Sequence, residues 1–237
     1  MLRANPEKRK KKKTVLLAVF LVFLAIAVYF LFFSDFFKIK EVSVSGNKIA
    51  SAEEIKNLFS YSYIFWPIKE SGSLPPAVKE AKVLKNFLSR GLKIEVTEKK
   101  PYALWCFGET ETGTGTCRWF DKDGFVFMNS PLTEGSFIKS IYGDRDVEIG
   151  EFIIAPELFK NLEEIFSILD RTGIEAGRFE ISDIKQEEIT AYAGNLPIFF
   201  SLRDNSAFTE KALNTLKPKF SSLSYIDLRS SGKAFYK

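Results

Sequence analysis

The longest apolar run in the chain lies close to its N-terminus. Residues 14–33 carry no charge, and fifteen of these twenty residues are Leu, Ile, Val or Phe. A helix rises about 1.5 Å per residue, so this run would extend roughly 30 Å, the thickness of the apolar layer of a bilayer. The pattern predicts a single transmembrane helix that begins at Thr14 and ends at Phe33. No small-x-small cleavage motif follows it, which favours an uncleaved anchor over a signal peptide.

A strand, a turn and a helix are predicted next. Residues 39–45 alternate apolar and polar side chains, as a half-buried strand does. Gly46 and Asn47 form a turn signal, and Ser51 with Glu54 has the spacing of a capping box at a helix N-terminus. Two further strands are predicted over residues 78–87 and 92–98, and a short second helix before them is limited by prolines.

The stretch between these elements is rich in aromatic residues and has two interpretations. The aromatics form either a patch for a partner or a membrane interface, or they cover the core in place of a full second helix. They are Tyr61, Tyr63, Phe65 and Trp66.

Beyond Pro101 the pattern changes to short strands separated by turn residues. Apolar residues at helical spacing predict two helices, over residues 156–169 and 208–216. The predicted strands are 102–107, 116–121, 125–128, 136–142, 179–181, 189–192, 198–202, 224–228 and 233–236. The chain is therefore expected to be α+β.

Charge is concentrated at the N-terminus. Residues 1–13 contain seven Lys or Arg and one Glu, a net charge of +6 in a chain of net charge +4, so the remainder is −2. By the positive-inside rule, the tail is expected in the cytoplasm and the C-terminal domains outside it, with the protein a single-pass component of the cell membrane. A slightly acidic folded part argues against nucleic acid as a partner.

The chain has few of the groups that catalysis requires. It contains no His, which removes the usual general base and the commonest zinc ligand. Asp121 and Asp123 begin a tight turn without the remaining ligands of a calcium loop, and no helix follows Gly113 and Gly115. No spacing singles out a pair of carboxylates. We expect no catalytic residue, no metal site, no cofactor and no small-molecule substrate.

Two cysteines, Cys106 and Cys117, flank a polar Gly/Thr-rich loop at the ends of strands that are expected to pair. If they face each other, a disulfide would close a loop of about ten residues and stabilise the hairpin by roughly 2–3 kcal/mol. The alternative is two buried free thiols.

The order of these motifs resembles the FtsQ/DivIB family of bacterial cell-division proteins. The resemblance covers almost the whole chain and depends on order and spacing, since each motif alone is weak. The residues that carry it are Val42, Val44, Gly46, Asn47, Ser51, Glu53, Glu54, Ile55, Ala81, Val83, Leu92, Ile94, Val96, Glu98, Pro101, Ala103, Trp105, Asp121, Gly124, Val126, Phe127 and Tyr225 to Arg229.

The resemblance implies a domain organisation. After the tail (1–13) and the anchor (14–33), residues 37–99 would form a POTRA domain of β-α-α-β-β order. Residues 100–237 would form the family's β domain, a curved antiparallel sheet with helices.

The resemblance also implies a function without catalysis at the division septum. Family members hold FtsB-like and FtsL-like division proteins, and the end of the β domain accepts a strand from the FtsB-type partner. The implied partner-binding residues are Tyr225, Ile226, Ser230, Lys233, Phe235 and Tyr236. Asp227 and Arg229 are expected to form a structural pair or to stabilise a turn.

Two other functions compete with this one. A membrane-tethered cell-wall enzyme would need a catalytic constellation that the sequence lacks. A POTRA-type chaperone of membrane-protein assembly would be expected to carry several POTRA domains or a barrel.

Overall fold

A computed structural model describes residues 6–108, 115–130, 138–203 and 207–237. The chain divides into two compact units, Met1–Glu98 and Lys99–Lys237. Both are α+β.

The first helix corrects the prediction of a membrane anchor. Helix α1 spans Pro6–Phe33, so it continues through the basic run instead of beginning at Thr14. Among the residues that the structure describes, no helix is long and apolar enough to cross a membrane. The predicted transmembrane helix, and the single-pass membrane location derived from it, are therefore wrong.

The first unit is built around a three-stranded sheet. Its elements in chain order are β1 (Glu41–Ser45), α2 (Ala52–Asn57), β2 (Phe59–Ser60), β3 (Lys69–Glu70), β4 (Val78–Asn86) and β5 (Gly91–Glu98). The strand order is β1-β5-β4, with β1 parallel and β4 antiparallel to the central β5. Ile55 of α2 packs with Ile94 and Val96 of β5 in the core.

The expected second helix of this unit is absent from its described residues. The two-residue strands β2 and β3 pair there instead. Helix α2 begins after Ser51, but the Ser51 side chain makes no capping hydrogen bond. The carboxylate of Glu98 instead holds the turn that precedes the helix, because its Oε1 accepts hydrogen bonds from the backbone N–H groups of Lys48, Ile49 and Ala50.

In its described residues, the second unit contains a nine-stranded sheet and two α-helices. The strands are β6 (Ala103–Phe107), β7 (Thr116–Phe120), β8 (Val126–Ser130), β9 (Ser140–Tyr142), β10 (Arg178–Glu180), β11 (Glu188–Ala193), β12 (Leu196–Ser201), β13 (Ile226–Asp227) and β14 (Phe235–Tyr236). The helices are α3 (Pro156–Thr172) and α4 (Ala207–Leu216). The order across the sheet is β14-β13-β12-β11-β10-β9-β6-β7-β8.

This sheet is mixed, where the resemblance implied an antiparallel one. Strand β9 lies between β6 and β10 and is parallel to both, and β13 is parallel to β12. Parallel neighbours need a long connection. Helix α3 lies in the connection between β9 and β10, and α4 lies in the connection between β12 and β13.

Both helices contribute to one core on one face of the sheet. Helix α3 begins at Pro156 as predicted, and its apolar face is buried. Phe166 packs on Phe179 of β10, with 4.6 Å between ring centroids, and Phe159 packs on Phe120 of β7. Leu213 of α4 belongs to the same buried cluster. The opposite face, which we call the outer face, carries the alternate residues of each strand.

Candidate functional site

The last two strands of the chain form a short hairpin at one end of the nine-stranded sheet. The turn between them places Gly232 at φ +69, a left-handed backbone conformation that glycine adopts without steric penalty. The backbone N–H of Lys233 donates to the carbonyl of Ser230 at 3.1 Å and closes the turn. The turn returns the chain along β13, so that β14 becomes the terminal strand of the sheet.

The register of this hairpin determines which backbone groups of β14 remain available for hydrogen bonds to another strand. Phe235 lies opposite Asp227, and Tyr236 lies opposite Ile226. The N–H of Lys237 donates to the carbonyl of Tyr225 at 3.4 Å, so odd-numbered residues of β14 direct their backbone groups towards β13. By strand alternation, the N–H and C=O groups of Ala234 and Tyr236 point away from the sheet. Within the part of the chain that the structure describes, these groups pair with no other strand, and they form an edge that can accept one.

Two aromatic side chains flank this edge. Phe235 is 50% exposed and Tyr236 is 51% exposed. Because directly opposite residues share a face, Phe235 lies on the outer face with Asp227, whereas Tyr236 lies on the side of the buried Ile226. An added strand would therefore have one aromatic ring available on each face.

An ion-pair network supports the edge from the outer face. Arg229 donates from Nε to Asp227 Oδ1 at 2.9 Å and from a terminal nitrogen to Asp227 Oδ2 at 2.6 Å. Its other terminal nitrogen donates to Glu188 of β11 at 2.7 Å, and its guanidinium lies 5.2 Å from the ring centroid of Phe199 on β12. The network therefore connects the segment after β13 to two neighbouring strands.

This network alters the ionisation of its members. Hydrogen bonds from Arg229 are the largest cause that holds the pKa of Asp227 below its ordinary value, against a smaller opposing effect of burial. The hydrogen bonds to Asp227 and then Glu188 raise the pKa of Arg229. The sequence indicated the Asp227–Arg229 pair by its short spacing, but not Glu188, which is 41 residues away in the chain.

The residues that the resemblance implied for partner binding all lie on or beside this hairpin. Ser230 and Lys233 are exposed in the turn. Tyr225 is half-buried, with its ring centroid 6.5 Å from that of Phe199. Ile226 is fully buried, so its side chain packs in the core and only its position in the strand serves the edge.

The aromatic stretch of the first unit lies apart from this hairpin in the sequence, and its role as a patch for a partner or a membrane interface stays a prediction. Ile64, which the sequence interpretation did not single out, is buried, while Tyr61, Phe65 and Trp66 are 36–40% exposed. Phe65 also contacts Phe37 and Phe87, with ring centroids 5.1 and 5.8 Å away. The stretch therefore covers apolar side chains and leaves part of each ring exposed.

Cys106 and Cys117 are directly opposite each other on β6 and β7 and form a disulfide. Both are buried and pack with Leu104 in a small cluster on the outer face. Much of the loop that they close, residues 109–114, lies outside the described residues, as does Gly113 of the Gly-x-Gly motif.

The carboxylate of Asp121 is engaged within its own turn. Its Oδ1 accepts hydrogen bonds from the backbone N–H groups of Asp123 and Phe125, and its Oδ2 accepts one from Lys99 at 2.5 Å. Within the described part of the chain, no group of three or more carboxylates or cysteines is arranged to hold a metal ion.

Comparison with known proteins returns no match, neither to a family model nor to a curated protein. The chemistry of the site therefore has to be argued from its geometry.

Proposed function

We propose that this chain is a non-enzymatic scaffold of the FtsQ/DivIB type, which holds FtsB-like and FtsL-like division proteins by strand addition at β14. The observation that carries the proposal is the position of β14 at the end of the nine-stranded sheet, where two aromatic rings flank outward backbone groups that no other described strand pairs with. A peptide strand added there would gain main-chain hydrogen bonds from the edge and side-chain contacts from Phe235 and Tyr236.

The first unit supports the same family. Its long strands, β1, β4 and β5, and the helix α2 occur in the order that a POTRA domain requires, although the β2–β3 pair stands where a second helix was expected. Such a small domain would serve as a second contact surface of the scaffold.

A direct binding experiment tests the proposal. The full chain would be mixed with labelled segments of the FtsB and FtsL homologues encoded by the same genome, and binding would be followed by fluorescence anisotropy. The informative variant is Tyr236→Pro, because proline removes the outward N–H and is tolerated on an edge strand whose N–H faces solvent. We expect the loss of this one main-chain hydrogen bond to weaken binding by about two- to tenfold, with a further loss from removal of the aromatic ring.

Matched variants separate the backbone from the side chain. Tyr236→Ala keeps the N–H group and removes the ring, so it should weaken binding less than Tyr236→Pro does. Phe235→Pro removes an inward N–H and should detach β14 from β13, which hydrogen exchange at Asp227 would report. If neither segment binds, or if Tyr236→Pro binds as tightly as the unaltered chain, strand addition at β14 is not the function of this edge.

A further inference from the structure

A second arginine on the outer face has surroundings very different from those of Arg229. Arg178 of β10 is exposed, and its guanidinium lies between two tyrosine rings. The distance from its Cζ atom to the ring centroid is 4.9 Å for Tyr142 on β9 and 5.5 Å for Tyr192 on β11. These three side chains, which we call the Tyr-Arg-Tyr stack, span three neighbouring strands in the middle of the sheet.

The sheet register produces this arrangement. Phe179 is buried in the core, so its neighbours Arg178 and Glu180 point to the outer face. Arg178 lies directly opposite Tyr192, and Tyr142 lies opposite Glu180 on the other side. Both tyrosine rings are half-buried, so the guanidinium is held between rings that are themselves fixed by the sheet.

Hydrogen bonding fixes the stack further. The hydroxyl of Tyr192 donates to Glu180 Oε2 at 2.9 Å, and Ser182 donates to the other oxygen of the same carboxylate at 3.4 Å. Burial, and then the bond to Glu180, raise the pKa of Tyr192, so its hydroxyl stays protonated as a donor. The carboxylate of Glu180 is therefore directed to neighbouring hydroxyl groups.

The ion pairing of the two arginines differs. Arg229 is bound by two carboxylates. Arg178, in contrast, forms no ion pair with any residue in the described part of the chain, and its contacts are the faces of the two rings. Stacking covers the planes of a guanidinium but leaves its N–H edge available for two parallel hydrogen bonds to a carboxylate.

An apolar surface lies next to the stack. Tyr142 also packs against the small cluster of Leu104 and the disulfide, together with the half-buried Trp119. Tyr, Trp and Arg are the residues that most often dominate binding energy at protein interfaces. A preorganised cation beside half-buried aromatic rings is complementary to an acidic side chain with apolar neighbours.

From this geometry we infer that the Tyr-Arg-Tyr stack is a second docking site, which binds a Glu or Asp side chain in an acidic, partly apolar peptide segment of a partner. The site goes beyond strand addition at β14 and does not depend on it, because three strands separate β10 from β14 in the sheet.

The test uses defined probes on the full chain with ¹⁵N-labelled arginine. Ac-Leu-Glu-Leu-NH2, Ac-Leu-Gln-Leu-NH2 and acetate would be titrated separately, and the Nε–H signals of Arg178 and Arg229 would be followed by NMR. We expect the Glu peptide to shift the Arg178 signal in a saturable manner, at least about tenfold more tightly than acetate, while Arg229 stays unchanged because its carboxylate partners are already in place.

Substitutions in the stack should change the affinity for the Glu peptide in predictable directions. Arg178→Lys keeps the charge but loses the planar fork, so binding of the Glu peptide, followed by backbone amide shifts in β10, should weaken severalfold. Glu180→Gln removes a nearby negative charge and should tighten binding. Arg178 is exposed, so its replacement should leave the thermal unfolding midpoint almost unchanged and thereby show that the fold is intact.

Each contrary result overturns the inference in a distinct way. Equal affinity for acetate and for the Glu peptide would assign the site to free anions instead of a peptide. Equal affinity for the Glu and Gln peptides would mean apolar adhesion without charge recognition. An Arg178 signal that none of the probes shifts would reject the site altogether. None of these results bears on strand addition at β14, so the two proposals fail separately.

Discussion

The indole ring of Trp105 lies directly against Gly143. A β-carbon at residue 143 would come within 1.9 Å of Trp105 Cζ2, while the indole N–H donates to the carbonyl of Arg145 at 3.0 Å and prevents the ring from moving aside. Both groups belong to the second unit, and Trp105 is among its largest fully buried side chains. Glycine is thus required at residue 143 to make room for a side chain of β6.

We expect Gly143→Ala to destabilise the second unit by about 2–3 kcal/mol, because the ring or the backbone must shift in a closely packed region. Denaturant unfolding followed by tryptophan fluorescence would measure this loss. Gly194→Asn is the matched control, since no atom lies within 4 Å of a β-carbon there and asparagine tolerates a positive φ. Similar stability of the two variants would show that Trp105 can move away from residue 143.

Protonation of Glu98 should destabilise the first unit at low pH. Burial alone would raise the pKa of Glu98, but the N–H groups of Ala50, Ile49 and Lys48, 2.8–2.9 Å from its Oε1, together outweigh burial and lower the pKa. Since the folded pKa lies below the unfolded value of about 4.3, the stabilisation is complete above that value and is lost as the pH falls through the folded pKa.

The variant Glu98→Gln tests this pH dependence. At pH 7 we expect it to lower the protection of β5 amides against hydrogen exchange by an amount equivalent to about 1–2 kcal/mol. The difference from the unaltered chain should shrink as the pH falls below 4. Glu95→Gln is the control, because the Glu95 side chain is 44% exposed and pairs with Lys93 at the surface. If the difference in amide protection between Glu98→Gln and the unaltered chain stayed constant with pH, the carboxylate of Glu98 would not be the group that stabilises the first unit.

Removal of Arg229 should raise the pKa of Asp227, because the carboxylate loses its hydrogen bonds from the guanidinium. We expect Arg229→Gln to raise the pKa of Asp227 towards its ordinary value, and carbon-detected NMR titration of the carboxyl group would measure the change. The folded pKa of Asp227 is depressed, so the contribution of the pair is present above about pH 4 and is lost as the pH falls through the folded pKa.

The pair is partly solvated, so we expect Arg229→Gln to cost only about 0.5–1 kcal/mol, confined to the β13–β14 hairpin. Arg203→Gln provides a matched control, since Arg203 pairs with Glu187 at the surface and not with the hairpin. An unchanged pKa of Asp227 in Arg229→Gln would show that another group holds the carboxylate.

The disulfide should stabilise the β6–β7 hairpin. Replacement of both Cys106 and Cys117 by alanine removes a covalent link across a short loop, which is worth roughly 2–3 kcal/mol by loop entropy. Hydrogen exchange of the β6 and β7 amides should report the loss, with little change at β12. Full protection in the double variant would mean that packing around Leu104 alone holds the two strands together.

Local patterns in the sequence were sufficient to predict those elements that depend only on residues close together in the chain. Helix α3 begins at Pro156, and its apolar residues at helical spacing are buried, because one amphipathic helix buries one face whatever its neighbours are. The turn at Gly232 and the strands on either side of it were likewise readable, and they positioned the candidate partner-binding edge near the end of the chain. The apolar run at residues 14–33 predicted a membrane anchor from local hydropathy alone, and that prediction is wrong.

Tertiary structure decided everything that depends on residues far apart in the chain. The parallel placement of β9 between β6 and β10, the third member Glu188 of the Arg229 network and the Tyr-Arg-Tyr stack all arise from strand register across the nine-stranded sheet. The sequence by itself determined the α+β character, the local turns and the residues available for the edge. Only the fold determined which of them meet, because side chains on different strands become neighbours through hydrogen-bonded pairing that no local pattern encodes.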